Sequence, residues 1–127
     1  MPKTYYLDGA LINAALRMVP YTSPAASYVA LFTTSPTQSG GGLEVTSGGY
    51  SRQTAVWTAP VTGQSSNFAD INFPVATIAW GTVVAFGLFD APTAGNLLYY
   101  APMNAPLPVQ INDQVKFPAG QLQVIEA

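Results

Sequence analysis

The stretch TVVAFGLFDAPTAGNLLYYA, residues 82–101, decides the fold of this 127-residue chain. From Val83 to Phe89 it is apolar at both alternating positions, which is typical of a strand covered on both faces. The turn-forming residues 91–95 (APTAG) separate this run from a second apolar run at residues 96–101. The stretch therefore predicts an antiparallel hairpin with a longer loop, whose first strand is buried.

Further short strands are predicted on both sides of this hairpin. Their residues are 27–33, 44–46, 50–58, 67–73 and 76–80 before it, and 109–111, 114–117 and 122–125 after it. Between them lie polar and Gly-rich segments, including a loop at 62–66 and turns at 112–113 and 118–120. Most of the 11 prolines are expected between strands, where they fix turns and protect strand edges.

One helix is predicted over residues 4–19, with Thr4 as N-cap and Pro20 as the residue that stops it. Apolar residues recur along it at helical spacing: Leu7, Leu11, Ile12, Leu16 and Val19. We expect this stripe to pack on the β core. The chain as a whole predicts a single domain over residues 1–127, mainly β, an antiparallel β-sandwich or barrel with one N-terminal α-helix.

Charged residues are scarce in this chain. Four basic and six acidic residues make up 8% of the sequence, against about 25% in an average globular domain. Apolar residues reach 49%, and a surface with sparse charge and large apolar patches favours association. We therefore expect a protein that other protein chains surround.

The residue types also exclude several kinds of chemistry. The chain has no Cys and no His, which removes thiolate metal sites, cysteine nucleophiles and the familiar catalytic triads. Lys3, Lys116 and the scattered carboxylates each have a structural explanation, so we expect no enzyme, no catalytic residue, no cofactor and no metal. A net charge of −2 predicts no nucleic-acid partner, and no apolar run is long enough to predict a membrane span. We expect no secretory signal, because the N-terminal apolar segment contains Asp8, Asn13 and Arg17 and lacks a convincing cleavage site.

Three segments together resemble a known family. SYVALFTTSPT, LEVTSGGYSRQTAVWTAP and SNFADINFPVATIAWGTVVAFGLFDAPTAGNLLYYAPM occur in this order before a strand-rich tail. The string, covering roughly residues 7–124, is similar to a widespread family of small bacteriophage virion proteins that are often labelled tail-fibre-like or minor tail proteins. One departure is Thr93-Ala94-Gly95, where a second glycine is common. The resemblance implies a phage virion structural protein, made in the host cytoplasm and assembled into the particle.

The position within the virion is a separate prediction. The small size argues against an elongated receptor-binding fibre, whereas a compact β domain with an arm-like terminus suits a capsid cement or decoration protein. Such a protein would bind the major capsid protein and/or further copies of itself, as a homotrimer. The alternative is a tail component: tail-fibre-like, tube or baseplate-associated. A carbohydrate-binding module is a third alternative. In this prediction the N-terminal segment reaches a neighbouring subunit. The candidate interface residues come from this segment and from a pair of adjacent tyrosines later in the chain: Met1, Pro2, Lys3, Tyr5, Tyr6, Tyr99 and Tyr100.

Overall fold

The computed structural model describes residues 1–126, which form a mainly β structure with one helix near the N-terminus. The elements are α1 (Tyr5–Leu16), β1 (Ser27–Thr34), β2 (Leu43–Glu44), β3 (Gln53–Ala55), β4 (Gln64–Ser66), β5 (Ile71–Asn72), β6 (Gly81–Phe89), β7 (Leu97–Val109), β8 (Lys116–Phe117) and β9 (Gln123–Ile125). The prediction of an antiparallel, mainly β fold is confirmed, and the strands described form no closed barrel.

Five strands make up the main sheet, in the order β2-β1-β6-β7, with β3 also paired to β1. All of these pairs are antiparallel. Because β6 takes one edge of β1, the short strands β2 and β3 share its other edge. The pairs β4–β9 and β5–β8 form two small sheets beside the main one.

Strand β6 is covered on both faces, as the sequence predicts. One face joins the larger core, where Val83, Phe86 and Leu88 lie among buried residues of most other elements. On the other face, Ala85 packs in a smaller buried cluster that includes Phe32. A register shift between Val83 and Ala85 changes the side-chain alternation along the strand. The predicted β6–β7 hairpin is confirmed, with Phe86 opposite Ala101.

Several predicted strand boundaries are wrong. Residues 76–80 form no strand, and Trp80 instead lies buried with its Nε1 donating to the Gly48 carbonyl oxygen (2.9 Å). Residues 64–66, expected in a loop, form β4 and pair with β9. Strand β7 continues through Pro102, Pro106 and Pro108, which were expected between strands. Proline is tolerated there because β7 is an edge strand of the main sheet.

The prediction for the helix is correct at its start and wrong for its packing. Thr4 is the N-cap, but the helix ends at Leu16 and only Leu7 is buried. Ile12 and Leu16 are 54% and 77% exposed. The reason is geometrical: Leu7 is five residues before Ile12, so the two side chains point to different sides of a helix with 3.6 residues per turn. Only the side that carries Leu7 meets the sheet.

Arg52, whose side chain is only 8% exposed, links strand β2 to the β6–β7 loop. The Arg52 Nε and Nη2 donate to the two Glu44 carboxylate oxygens at 2.9 and 2.8 Å. Its Nη1 donates to the carbonyl oxygens of Ala91 (3.0 Å) and Ala94 (2.8 Å), and its Cζ lies 3.6 Å from the centre of the Phe89 ring. One guanidinium thus satisfies two loop carbonyls and a carboxylate while it covers an aromatic face.

Replacing this guanidinium by an ammonium is expected to weaken the fold. Arg52→Lys keeps the charge but loses the bidentate geometry and the planar stacking, so we expect the free energy of unfolding to fall by about 2–3 kcal/mol. Urea unfolding followed by tryptophan fluorescence measures this change. Arg17→Lys is the matched control, since Arg17 is exposed and bonds only Asn13 among the contacts described; its effect should stay within about 0.5 kcal/mol. A loss under about 1 kcal/mol for Arg52→Lys would show that these contacts of the guanidinium do not stabilise the fold.

Gly87 of β6 has no room for a side chain. A Cβ there would lie 2.7 Å from the Leu97 Cδ1 and 3.0 Å from the Phe32 Cε2. We expect Gly87→Ala to lower the free energy of unfolding by about 1–3 kcal/mol, because the buried neighbours must shift. Gly9→Ala, within α1 and with no atom within 4 Å of the new Cβ, should instead raise it by up to about 1 kcal/mol. Calorimetric melting of both variants gives the comparison, and equal effects of the two changes would refute this packing.

Candidate interaction surface

Residues 1–4 lie along the outer edge of β7, the strand that ends the main sheet. The Tyr100 N–H donates to the Pro2 carbonyl oxygen (3.1 Å), and Lys3 forms an antiparallel bridge with Tyr99. The segment is therefore a short additional strand that pairs backbone groups of an otherwise open edge. Within one chain, the N-terminal segment contacts its own sheet.

The edge beyond this cover is protected by proline. Pro102 lies opposite Ala85 of β6 and two residues after Tyr100, so its backbone nitrogen faces outward like that of Tyr100. A proline nitrogen has no hydrogen to donate, so this position offers no backbone donor to another strand. Backbone pairing with another strand is therefore weakened at this position.

An ionic cluster holds the N-terminal segment against β7. The Lys3 ammonium pairs with the Glu126 carboxylate and lies 3.6 Å from a carboxylate oxygen of Asp8. The Tyr99 hydroxyl donates to the other Glu126 oxygen at 2.5 Å. The cluster thereby connects the segment before α1, strand β7 and the residue after β9.

The cluster shifts the pKa values of its members. Partial burial raises the pKa of Glu126, but the hydrogen bonds from Lys3 and Tyr99 outweigh it and leave that pKa below its usual value. The hydrogen bond to Glu126 raises the pKa of Lys3 above its usual value. Burial, followed by the hydrogen bond to Glu126, raises the pKa of the Tyr99 hydroxyl. The three groups therefore favour the charge states that hold them together near neutral pH.

The structure divides the predicted interface residues into two groups. Those at the edge of β7 lie together: Met1, Pro2, Lys3, Tyr99 and Tyr100. Tyr5 and Tyr6 lie in the first turn of α1, where they are 61% and 46% exposed. The interface role of these seven residues stays a prediction. Sequence reasoning gave no role to Glu126, because its partners lie more than a hundred positions away or in another strand.

A second exposed surface lies along α1, on the side opposite Leu7. Tyr5, Gly9, Ile12 and Leu16 follow each other at intervals of four, three and four residues, so they form one stripe along the helix. All four are exposed. We call this set the α1 stripe. The spacing is visible in the sequence, but which side of the helix meets the sheet is not.

An open cleft of about 380 Å³ lies beside β7 and residues 121–123. Its lining combines Phe86, Met103 and Leu122 with the amide side chains of Asn104 and Gln121, and it includes no ionisable side chain. It offers apolar contact and amide hydrogen bonds, and no side chain suited to acid–base catalysis.

Neither a metal cluster nor a membrane-spanning helix is found in residues 1–126. No three His, Cys, Asp or Glu residues of this range come together in a way that could hold a metal ion. No helix of this range has the length and the apolar character needed to cross a membrane.

The ionic cluster predicts a pH dependence with a defined sign. Because the folded pKa of Glu126 is below the unfolded value of about 4.3, its contribution to stability is full above that pH and is lost as pH falls through the folded pKa. The side chains of Lys3 and Glu126 are 18% and 42% exposed, so solvent screens the pair and we expect a contribution of at most about 1 kcal/mol.

Urea unfolding between pH 7 and pH 3 tests this prediction. The unfolding free energy of the wild-type chain should fall more steeply than that of Glu126→Gln, which cannot titrate at this position. The other carboxylates are common to both proteins and cancel in the comparison. Parallel pH profiles for the two proteins would show that the cluster contributes nothing.

Comparison with known proteins gives one family. The family model described as podophage GP4 fiber I protein gp80 matches residues 2–125. No curated protein matches the chain.

Proposed function

Since this chain belongs to the podophage GP4 fiber I protein family, we propose that it is a fibre-related structural protein of the phage tail. The observation that carries the proposal is the match over residues 2–125, which leaves almost none of the chain outside the family. Membership makes the chain a phage virion structural protein, as the resemblance of its sequence implied.

A binding and structural role suits the surfaces described above. The N-terminal segment and Pro102 block part of the edge of β7, which hinders uncontrolled pairing with other sheets. Because the chain has exposed apolar residues and few charges, stable contacts with neighbouring proteins are favoured over an isolated monomer. We propose that the chain is not an enzyme and acts through such contacts.

The description of the family favours the tail over the capsid. The sequence-based expectation put a capsid cement protein first, chiefly because the chain is small. A match to a family described as a fiber protein supports the tail alternative better, and it gives the cement hypothesis no support of its own. The carbohydrate-binding alternative stays a prediction.

Virions of the phage that encodes this chain provide the test. Gold-labelled antibodies raised against the purified chain should bind the tail of intact particles in electron micrographs, with an antibody against the major capsid protein as the control that labels heads. Quantitative gel densitometry should give a copy number in small multiples of three or six, because tail parts follow the tail's rotational symmetry. Label spread over the heads, with hundreds of copies per particle, would favour the cement hypothesis instead.

A further inference from the structure

Another open cleft, of about 320 Å³, lies between the start of α1, the turn that follows β1 and the end of the β6–β7 loop. Tyr5 and Tyr6 line it from the helix, Gln38 and Ser39 from the turn, and Asn96 from the loop. We call it the tyrosine cleft. Its volume is at the lower end of the range of about 300–1,000 Å³ that is usual for sites of small ligands. It therefore has room for a short ligand but not for a folded partner.

Backbone hydrogen bonds hold the walls of the tyrosine cleft in place. The Tyr5 N–H donates to the Gln38 carbonyl oxygen at 2.8 Å, which joins the turn to the start of α1. Within the turn, Thr37 and Gly40 exchange two backbone hydrogen bonds of 2.9 Å. A ligand in this cleft meets walls that are already arranged, so its binding requires little further ordering of the chain.

Polar groups of the cleft are available for a ligand. The Asp90 carboxylate accepts from the Asn96 N–H (2.7 Å) and from the Asn96 Nδ2 (3.0 Å), so the side-chain oxygen of Asn96 remains as an acceptor. In the part of the chain that the structure describes, the Gln38 amide and the hydroxyls of Tyr5 and Tyr6 make no hydrogen bond. All of these side chains are exposed, so they can exchange water for a ligand.

The lining also restricts the charge of the ligand. It includes no charged side chain, and the carboxylate nearest to Asn96 is that of Asp90, so an anionic ligand finds no partner and is repelled. A cation finds only a carboxylate that two hydrogen bonds already occupy. The cleft therefore favours a neutral ligand.

A sugar ring matches these groups better than a peptide does. The C–H groups of a sugar pack on the faces of tyrosine rings, and each sugar hydroxyl both donates and accepts, as the Asn96 oxygen and the Gln38 amide require. A proline-rich peptide also packs on tyrosines, but its prolines have no N–H to donate, so the Asn96 oxygen would lose its water without gaining a partner.

We propose that the tyrosine cleft binds a short neutral saccharide. Tyr5 and Tyr6 supply the ring faces, and Gln38 and Asn96 hydrogen-bond to the sugar hydroxyls. The proposal goes beyond the tail assignment, because it gives this cleft a ligand wherever the chain lies on the particle. A chain found on the tail that binds no saccharide would contradict this proposal alone, and a saccharide-binding chain found on the head would contradict only the tail assignment.

Nuclear magnetic resonance titration of the purified full chain tests the proposal. The neutral probes are the methyl glycosides of glucose, galactose, mannose, rhamnose and N-acetylglucosamine; sialic acid and decaproline are the acidic and the peptide probes. At least one neutral probe should shift the backbone amide signals of Gly41 and Asn96 in a saturable manner, with a Kd on the order of 10 mM or tighter.

Variants show whether this binding uses the cleft. Tyr6→Ala should weaken it at least about fivefold, whereas Tyr6→Phe keeps the ring and should stay within about twofold. Gln38→Ala should weaken it about three- to tenfold with an unchanged urea midpoint, because the amide bonds no other described residue. Phe68→Ala is the matched control: Phe68 is a 68% exposed aromatic residue outside the cleft, so the binding should equal that of the wild type.

Circular dichroism shows that each variant is folded. The absence of a saturable shift with all neutral probes, binding of sialic acid or decaproline alone, or equal weakening by Tyr6→Ala and Phe68→Ala would each overturn the proposal.

Discussion

The burial of both faces of β6 is the constraint on which the rest of the structure depends. A strand that is apolar at both alternating positions needs cover above and below, and it needs a hydrogen-bonded neighbour on each edge. Strands β1 and β7 provide the edges, the larger core covers one face, and a smaller cluster around Phe32 covers the other. The small sheet β5–β8 is part of that cover: the ring centre of Phe117 in β8 lies 5.6 Å from that of Phe86.

Several of the scarce charged residues hold contacts between parts of the chain that are far apart in sequence. Arg52 connects Glu44 to the β6–β7 loop, and Lys3 connects the N-terminal segment to Glu126. Each ion pair also accepts or donates further hydrogen bonds, which is what makes a partly buried pair favourable. The surface is left with few charges, and this is consistent with a protein whose neighbours in a virion replace part of its solvent shell.

Backbone groups at the edge of β7 are partly covered, whereas large apolar side chains of α1 are exposed. The outer edge of β7 is paired by residues 1–4 and continued by proline, while large apolar side chains remain exposed on α1. Backbone edges pair with almost any strand, whereas an apolar side-chain surface selects a partner by shape. A protein that must assemble in a defined way therefore benefits when its backbone edges are covered and its apolar side-chain surfaces stay exposed.

The sequence by itself determined the mainly β class, the β6–β7 hairpin, the buried character of β6, the N-cap of α1 and the kinship with phage virion proteins. These follow from local patterns: alternation, turn residues, capping and a motif order. Short strands such as β4 were missed, because two or three polar residues carry no pattern and pair only through contact with a distant strand.

Only the tertiary structure decided which side of α1 meets the sheet and which side is left exposed. Periodicity groups residues on one face of a helix but does not say what that face contacts, so Ile12 and Leu16 were expected inside and lie outside. The same holds for Glu126, whose role depends on Lys3 and Tyr99 being brought beside it by the pairing of β7 with the N-terminal segment. Contacts between residues a hundred positions apart are set by how the sheet closes, and no local stretch of sequence contains that information.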